Sequence, residues 1–256
     1  MQDEPSLIAK VEEWLRKQGY PLEMKVAQAL KRRGWFLLHS RRYKDPILEK
    51  EREIDLLALN ETRTEHSVLD GDLVIECKWT RDKPWVLFSG TKLASTPVAQ
   101  LVSIPKTSGA LQKTSDIPFR RLPDLPIFEG IHEGYLLVQA FKNEDAVNAA
   151  YAAVQTVINA ADFFASQMSG DQFNILFVPV VVIEGELLRG SLTETGEIVI
   201  DPIEFGVLSH LRATEAPRFV HIVRESSLDE FIIRAERTFA MLRALVLKKP
   251  RRKRSS

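Results

Sequence analysis

The stretch Leu73-Val74-Ile75-Glu76-Cys77-Lys78-Trp79 decides the fold prediction, because it sets two charged side chains inside an otherwise apolar run. Its length and its apolar content are typical of a strand with at least one buried face. Side chains alternate between the faces of a strand, so Glu76 and Lys78 share one face and Cys77 lies on the other. Burying either charge without a partner costs several kcal/mol. We therefore expect the pair to face a metal ion, another charge or a cleft.

A second acidic residue, Asp55, stands in the preceding apolar run, Glu53-Ile54-Asp55-Leu56-Leu57-Ala58-Leu59. Twenty residues separate Asp55 from Glu76, which suits a hairpin connection that places both carboxylates at one site. Two carboxylates supply oxygen ligands for a hard divalent cation such as Mg²⁺, which also takes water and substrate phosphate as ligands. Lys78 beside them can orient the attacking water and offset charge on a phosphate. These residue types predict metal-assisted phosphodiester hydrolysis.

Helix-like and strand-like stretches alternate along the chain, which favours an α/β fold. Helices are predicted over 7–18, with Ile8, Val11 and Leu15 on the inner face, over 22–33, over 144–168 with Asn143 as its cap, and from the Ser227 capping box to 247. Asp70-Gly71 predicts a tight turn before the strand at 73–79. Further strands are predicted over 35–40, 54–59, 135–141, 175–183, 186–192, 197–201 and 219–223.

The chain is expected to contain three parts. Residues 1–184 form the core, with an insertion or mobile loop at about 81–132, where prolines recur. Residues 185–247 form a β-rich extension and a C-terminal helix packed on the same domain. Residues 248–256 form a disordered tail with a charge of +6, so residues 1–247 carry −6. The tail either holds nucleic acid through phosphate contacts or is simply solvated, and both interpretations remain open.

Composition narrows the class of protein. The single cysteine, Cys77, excludes an internal disulfide framework and a cysteine-rich zinc module. No apolar run reaches the roughly 18 residues that a membrane span requires, and the first residues lack the pattern of a secretory signal. We therefore expect a cytoplasmic protein that does not bind membranes.

Ile54-Asp55, followed by Glu76-Cys77-Lys78 after an apolar approach, resembles the PD-(D/E)xK nuclease superfamily. The branches it resembles are the methylation-dependent restriction nucleases and the archaeal Holliday-junction resolvases. The resemblance covers about residues 22–79, and Ile54 stands where the motif has its proline. It implies a restriction-endonuclease-like αβββαβ core around a mixed central sheet, with a C-terminal hairpin, strand and helix as an extension.

The resemblance also implies roles for four residues. Asp55, Glu76 and Lys78 would be catalytic, and Glu23, on the helix before the first strand, would join them. Asp55, Glu76 and Glu23 would hold Mg²⁺ or Mn²⁺. Each residue also has a simpler interpretation: Glu76 and Lys78 as a surface pair at a sheet edge, Asp55 as a turn cap, and Glu23 as a partner of the helix dipole.

The function that follows is a magnesium-dependent endodeoxyribonuclease with DNA as its partner, acting in restriction, phage defence or DNA repair. Nucleases of this kind often cut both strands as dimers, so a homodimer is a second expected partner, although no stretch of sequence identifies an interface. The alternative is a catalytically inactive nuclease-fold module that binds nucleic acid or a protein. The intact Asp-Glu-Lys set favours the enzyme.

Other residues give weaker indications of nucleic-acid contact. Lys31-Arg32-Arg33 and Arg41-Arg42 are either phosphate contacts near the site or solvated charge. Trp79 and Trp85 either stack on bases or belong to the core. Cys77 is not expected to be a nucleophile, because it lies on the face opposite Glu76. The weakest candidates for a phosphate contact are Gln139, Gln155 and Asn148.

Overall fold

The computed structural model describes residues 6–45, 48–63, 68–80, 83–89, 125–141, 145–168, 173–210 and 218–247. Its helices are α1 (Leu7–Arg16), α2 (Tyr20–Arg32), α3 (Asp145–Gln167) and α4 (Leu228–Leu247). Its strands are β1 (Phe36–Lys44), β2 (Glu51–Arg63), β3 (Val68–Trp79), β4 (Trp85–Phe88), β5 (His132–Gly134), β6 (Leu136–Gln139), β7 (Phe173–Glu184), β8 (Leu187–Leu192), β9 (Ile198–Pro202), β10 (Phe205–His210) and β11 (Arg218–Arg224). Within these ranges, no helix combines the length and apolar character that crossing a membrane requires.

The main sheet has seven strands in the order β1-β2-β3-β7-β11-β10-β5. The first three form an antiparallel meander, and β7 then runs parallel to β3 along its whole length, from Val68↔Phe173 to Trp79↔Glu184. β11 is parallel to β7, and β10 is antiparallel to β11. The protein is therefore a mixed α/β fold with a mixed sheet, and β3 lies inside that sheet.

Two hydrophobic cores lie on opposite faces of the main sheet. One contains the apolar sides of α2 and α4, including Leu30 and Phe239. The other contains α3, including Ile158. The strands between them read as long apolar runs because both of their faces are buried. Neighbouring residues of β3 show this arrangement, since Val74 lies in the α3 core and Ile75 in the α2 core.

A smaller sheet of four strands, in the order β6-β4-β8-β9, packs on the α3 side. Its inward side chains include Trp85, Leu87 and Leu187, which join the α3 core. β4 and β8 come soon after β3 and β7 in the chain and pair with each other in parallel. Strands from the predicted core and from the predicted extension thus share both sheets.

Most predicted elements are confirmed, with shifted ends. α2, α3 and α4 stand where helical spacing placed them, and β7 lies inside the sheet as its β-branched run predicted. The hairpin of β8 and β9 is also confirmed. The predicted Asn143 cap and the tail 248–256 lie outside the described residues.

The predicted turn at Asp70-Gly71 is wrong, because both residues lie inside β3. A Cβ atom on Gly71 would stand 2.3 Å from Cγ of Phe239. Glycine is present here because the aromatic ring of α4 packs directly on the strand backbone. The same residue type at a turn would give the same sequence signal, and only tertiary packing distinguishes the two cases.

The predicted inner face of α1 is also wrong. Ser6 caps the helix as expected, accepting a hydrogen bond from the Ala9 N–H at 3.3 Å. However, α1 has no buried residue, and Ile8 is 72% exposed. Helical spacing identifies an apolar face, but it does not show whether another element covers that face.

The insertion predicted at about 81–132 is partly ordered structure. Trp85–Phe88 forms β4, and Pro126–Phe128 forms a 3₁₀ turn. The stretch 90–124 lies outside the described residues. β10 was not predicted, although it is a strand of the main sheet.

Candidate metal and nuclease site

The candidate site lies where β2 and β3 separate. Their antiparallel ladder ends at Leu56↔Ile75, one step before Asp55 and Glu76. Beyond that step, the N–H of Cys77 donates to the side chain of Asp55, with 2.7 Å between N and Oδ2. A carboxylate therefore replaces the backbone carbonyl that would have continued the ladder, and the gap between the strands is where the two acids meet.

The backbone of β2 changes face at Asp55. Ile54 and Leu57 both lie in the α3 core although they are three residues apart, whereas strict alternation would put them on opposite faces. In β1, the residue across from Asp55 is Ser40, whose φ of 51° lies in the left-handed region. Such irregularity inside a ladder redirects a side chain, and here the redirected side chain is Asp55.

Glu76 is the most buried acid of the group, with 9% of its surface exposed. Its Oε1 accepts a hydrogen bond from Nζ of Lys78 at 2.5 Å. Its Oε2 is buried and has no hydrogen-bond partner among the described residues. The interpretation of Glu76 and Lys78 as a surface pair at a sheet edge is therefore wrong, because β3 lies between β2 and β7.

The electrostatics of the site are those of crowded, buried carboxylates. The pKa of Glu76 is raised to about 7, because burial and the Asp55 carboxylate raise it by more than Lys78 and Arg52 lower it. Burial also raises the pKa of Asp55, against the lowering effects of the Cys77 N–H and of Lys78. A nearby cation would stabilise the ionised form of both acids, and the positive charges of the protein itself do not fully do so.

Glu23 lies in the first turn of α2 and faces the same site. Burial raises the pKa of Glu23, and Asp55 and Glu53 raise it further. A helix dipole acting alone would lower the pKa of a first-turn acid, so burial together with the neighbouring acids outweighs it. The structure thus brings Glu23 near Asp55, although no hydrogen bond joins Glu23 to the pair.

Two acids with a free oxygen fit a magnesium site that is completed by water and phosphate. Oε2 of Glu76 is the oxygen that lacks a partner, and Asp55 supplies the second carboxylate. In the described part of the chain, no three His, Cys, Asp or Glu side chains are grouped closely enough to hold a metal ion. The fit therefore rests on Asp55 and Glu76, with Glu23 farther out.

A basic residue that sequence reasoning missed, Arg52, acts on Glu76 from β2. Its guanidinium Nη1 lies 3.8 Å from Oδ2 of Asp45, and its Nη2 donates to Oγ1 of Thr156 at 3.5 Å. Asp45 is buried and also accepts from the Asn159 side chain at 3.1 Å. A buried acid thus holds a cation near Glu76. The sequence signal was weak, since an arginine three residues before Asp55 reads as ordinary strand-end charge.

Several other predicted contacts lie away from the site or are engaged elsewhere. Arg33 forms an ion pair with Glu236, and Arg42 forms one with Glu51. Trp85 is fully buried, so the core interpretation holds for it and the base-stacking interpretation is wrong. Gln139, Gln155 and Trp79 are buried or half-buried, and the side chain of Asn148 lies outside the described part.

The thiol of Cys77 is not poised for nucleophilic chemistry. It packs against the α2 core, on the face opposite Glu76. Burial raises its pKa well above the ordinary value, and Asp55, Glu23 and Glu76 raise it further. A protonated thiol is a poor nucleophile. The chemistry of the site therefore belongs to the carboxylates and the lysine.

Comparison with known proteins gave no matching family description, curated protein or solved structure.

Proposed function

We propose that this chain is a metal-dependent nuclease that hydrolyses DNA phosphodiester bonds, with Asp55, Glu76 and Lys78 as its catalytic residues. The observation that carries the proposal is the buried carboxylate of Glu76. One of its oxygens is bound to Lys78, the other has no partner among the described residues, and Asp55 stands beside it. Burying such carboxylates costs free energy, so the arrangement is expected at a functional site.

The order of elements supports the proposal. Along the chain, α2, β1, β2, β3, α3 and β7 follow the αβββαβ order that the PD-(D/E)xK resemblance implies, with β4, β5 and β6 inserted between β3 and α3. The two acids lie at the point where β2 and β3 separate, and Lys78 lies two residues after Glu76 on the same face. We propose on this basis that the fold is restriction-endonuclease-like, and we place its activity in the cytoplasm because the lone thiol suits a reducing compartment.

The roles of the residues follow from their chemistry. Asp55 and Glu76 would hold Mg²⁺ or Mn²⁺, with Glu23 as a third acid near Asp55. When bound, the cation would activate a water molecule and neutralise charge on the scissile phosphate. The Lys78 ammonium donates to Oε1 of Glu76 and so fixes the direction in which the free oxygen points. The same ammonium would orient the attacking water and offset negative charge on the phosphate.

The test compares the wild type with Glu76→Gln and Lys78→Met on supercoiled plasmid, linear duplex and branched DNA, in Mg²⁺, Mn²⁺ or EDTA. We expect metal-dependent cleavage of at least one DNA form and its loss in both variants, because each variant removes a charge that the reaction needs. The matched control is Glu194→Gln, an exposed acid in the turn between β8 and β9, which should cleave like the wild type.

The contrary result is equally clear. Folded wild-type protein that cuts none of the substrates and binds neither cation would refute the nuclease proposal. Binding of DNA without cleavage in that case would establish the non-catalytic nucleic-acid-binding module as the function.

A further inference from the structure

The outer face of the small sheet β6-β4-β8-β9 is apolar throughout. Trp85, Leu87 and Leu187 point inward to the α3 core, so the residues that alternate with them point outward. The strand register pairs these outward residues with one another across all four strands. None of the outward positions in these strands carries a charged or hydrogen-bonding side chain. Its large side chains are Phe88, Leu136, Leu188, Leu192, Ile198 and Ile200.

The margins of this outer face are open to solvent, whereas Val86 at its centre is buried and Phe88 and Leu188 are half-buried. Leu136 is 40% exposed and Ile198 is 77% exposed, with Leu192 and Ile200 between them. The side chain of Tyr135, 65% exposed, adjoins the face and helps to line a concavity of about 620 Å³ with Phe88, Leu192 and Ile198. These exposed fractions amount to on the order of 500 Å² of surface, near the upper end of the largest apolar patch found on single-chain proteins.

The chemistry of the face selects its occupant. The outward side chains of the four strands carry no charge, and the groups beside them in the concavity, Ser89, Tyr135 and Ser191, are neutral hydroxyls. The face therefore has no cation with which to attract DNA phosphates or an acidic peptide. Another apolar sheet face complements it, because two sheets pack face to face with interdigitated side chains. A second copy of this chain carries such a face, and a two-fold axis would bring the two together as the same patch on both subunits.

We infer that the outer face of the small sheet is the contact surface between two copies of this chain. Joining two such faces removes about 1,000 Å² of surface from water, the lower limit for a specific interface. An interface at this lower limit is expected to be weak and reversible, and area alone does not set its dissociation constant. The inference needs neither metal nor DNA, so it stands or falls separately from the nuclease proposal.

Analytical ultracentrifugation of the full chain between about 1 and 100 μM, in EDTA, measures the dissociation constant. The test variant is Ile198→Asp, which puts a charge at the most exposed position of the face. The matched control is Ile8→Asp on α1, a similarly exposed isoleucine on the other apolar surface of the molecule. Both residues are exposed, so both variants should fold, and circular dichroism checks this.

We expect a concentration-dependent dimer whose dissociation constant rises at least tenfold in Ile198→Asp and stays unchanged in Ile8→Asp. A wild type that remains monomeric throughout would overturn the inference and assign the face to another occupant, either residues 90–124 of the same chain or a different protein. A dimer that withstands Ile198→Asp, or that Ile8→Asp dissociates, would overturn it too.

Discussion

Replacing Glu76 with glutamine should make the protein more stable at alkaline pH, because it keeps the shape of the side chain and removes a buried charge. Burial raises the pKa of Glu76 from 4.5 to about 7 in the folded protein. Between those two values the folded protein keeps a proton that the unfolded chain has already released. The contribution of this group to stability is therefore favourable below pH 4.5 and is lost as the pH rises through about 7.

The magnitude follows from the size of this difference. One pKa unit corresponds to about 1.4 kcal/mol, so the difference between the folded and unfolded pKa of Glu76 lowers the free energy of unfolding by about 3 kcal/mol at pH 8 and by about 1 kcal/mol at pH 5, relative to a side chain that does not ionise. Glu76→Gln removes this effect, and the pKa already includes the attraction of Lys78. For a chain of this length, a gain of up to about 3 kcal/mol raises the melting temperature by roughly 5 to 10 °C.

The assay is thermal and urea unfolding of the wild type and Glu76→Gln at pH 5 and pH 8, with EDTA present. Glu194→Gln is the control, and it should change stability by less than about 0.5 kcal/mol because its side chain is exposed. The reasoning is refuted if Glu76→Gln fails to stabilise the protein at pH 8, or if it stabilises equally at both pH values. Stability gained together with activity lost is the pattern expected of a residue kept for function.

Three further predictions concern the same structure. The affinity for Mn²⁺, measured by calorimetry, should fall about tenfold from pH 8 to pH 6, because the metal must displace the proton that Glu76 holds below about pH 7; a pH-independent affinity would contradict this. Arg52 lowers the pKa of Glu76 by its charge, so Arg52→Met should raise that pKa further and move the fall in Mn²⁺ affinity to higher pH. Arg52→Lys keeps the charge and should leave the fall in affinity near its wild-type pH. Gly71→Ala should lower the free energy of unfolding by about 1–3 kcal/mol in urea titrations, since its Cβ would overlap the Phe239 ring; an unchanged midpoint would count against the packing described for α4 on β3.

The candidate site was accessible from sequence because it depends on the period of a strand. Alternation alone put Glu76 and Lys78 on one face and Cys77 on the other, and the structure has them there. The sequence did not show the geometry that brings the two carboxylates together in a buried place. That geometry consists of the separation of β2 from β3 and the change of face at Asp55. Both depend on neighbouring strands, so local spacing carries no sign of them.

The wrong and missed predictions also depend on tertiary structure. Asp70-Gly71 has the composition of a turn, but Gly71 is a contact point for a ring that lies far along the chain. α1 has the spacing of a packed helix, but none of its residues is buried. Arg52 and Asp45 come together near Glu76 only because the ends of β1 and β2 pair. Periodicity predicts elements and faces well, and it does not predict which partners meet them.

The measurement that tests the central claim most directly is the rate of DNA cleavage by Asp55→Asn beside the wild type, in Mn²⁺ and in EDTA. The asparagine side chain keeps an oxygen that can accept the Cys77 N–H, so the junction of β2 and β3 is preserved while the charge is removed. We predict cleavage by the wild type only with metal, and a loss of at least a hundredfold in the variant. A wild type that cleaves equally in EDTA, or a variant that cleaves at the wild-type rate, would contradict the assignment of the metal site to Asp55 and Glu76.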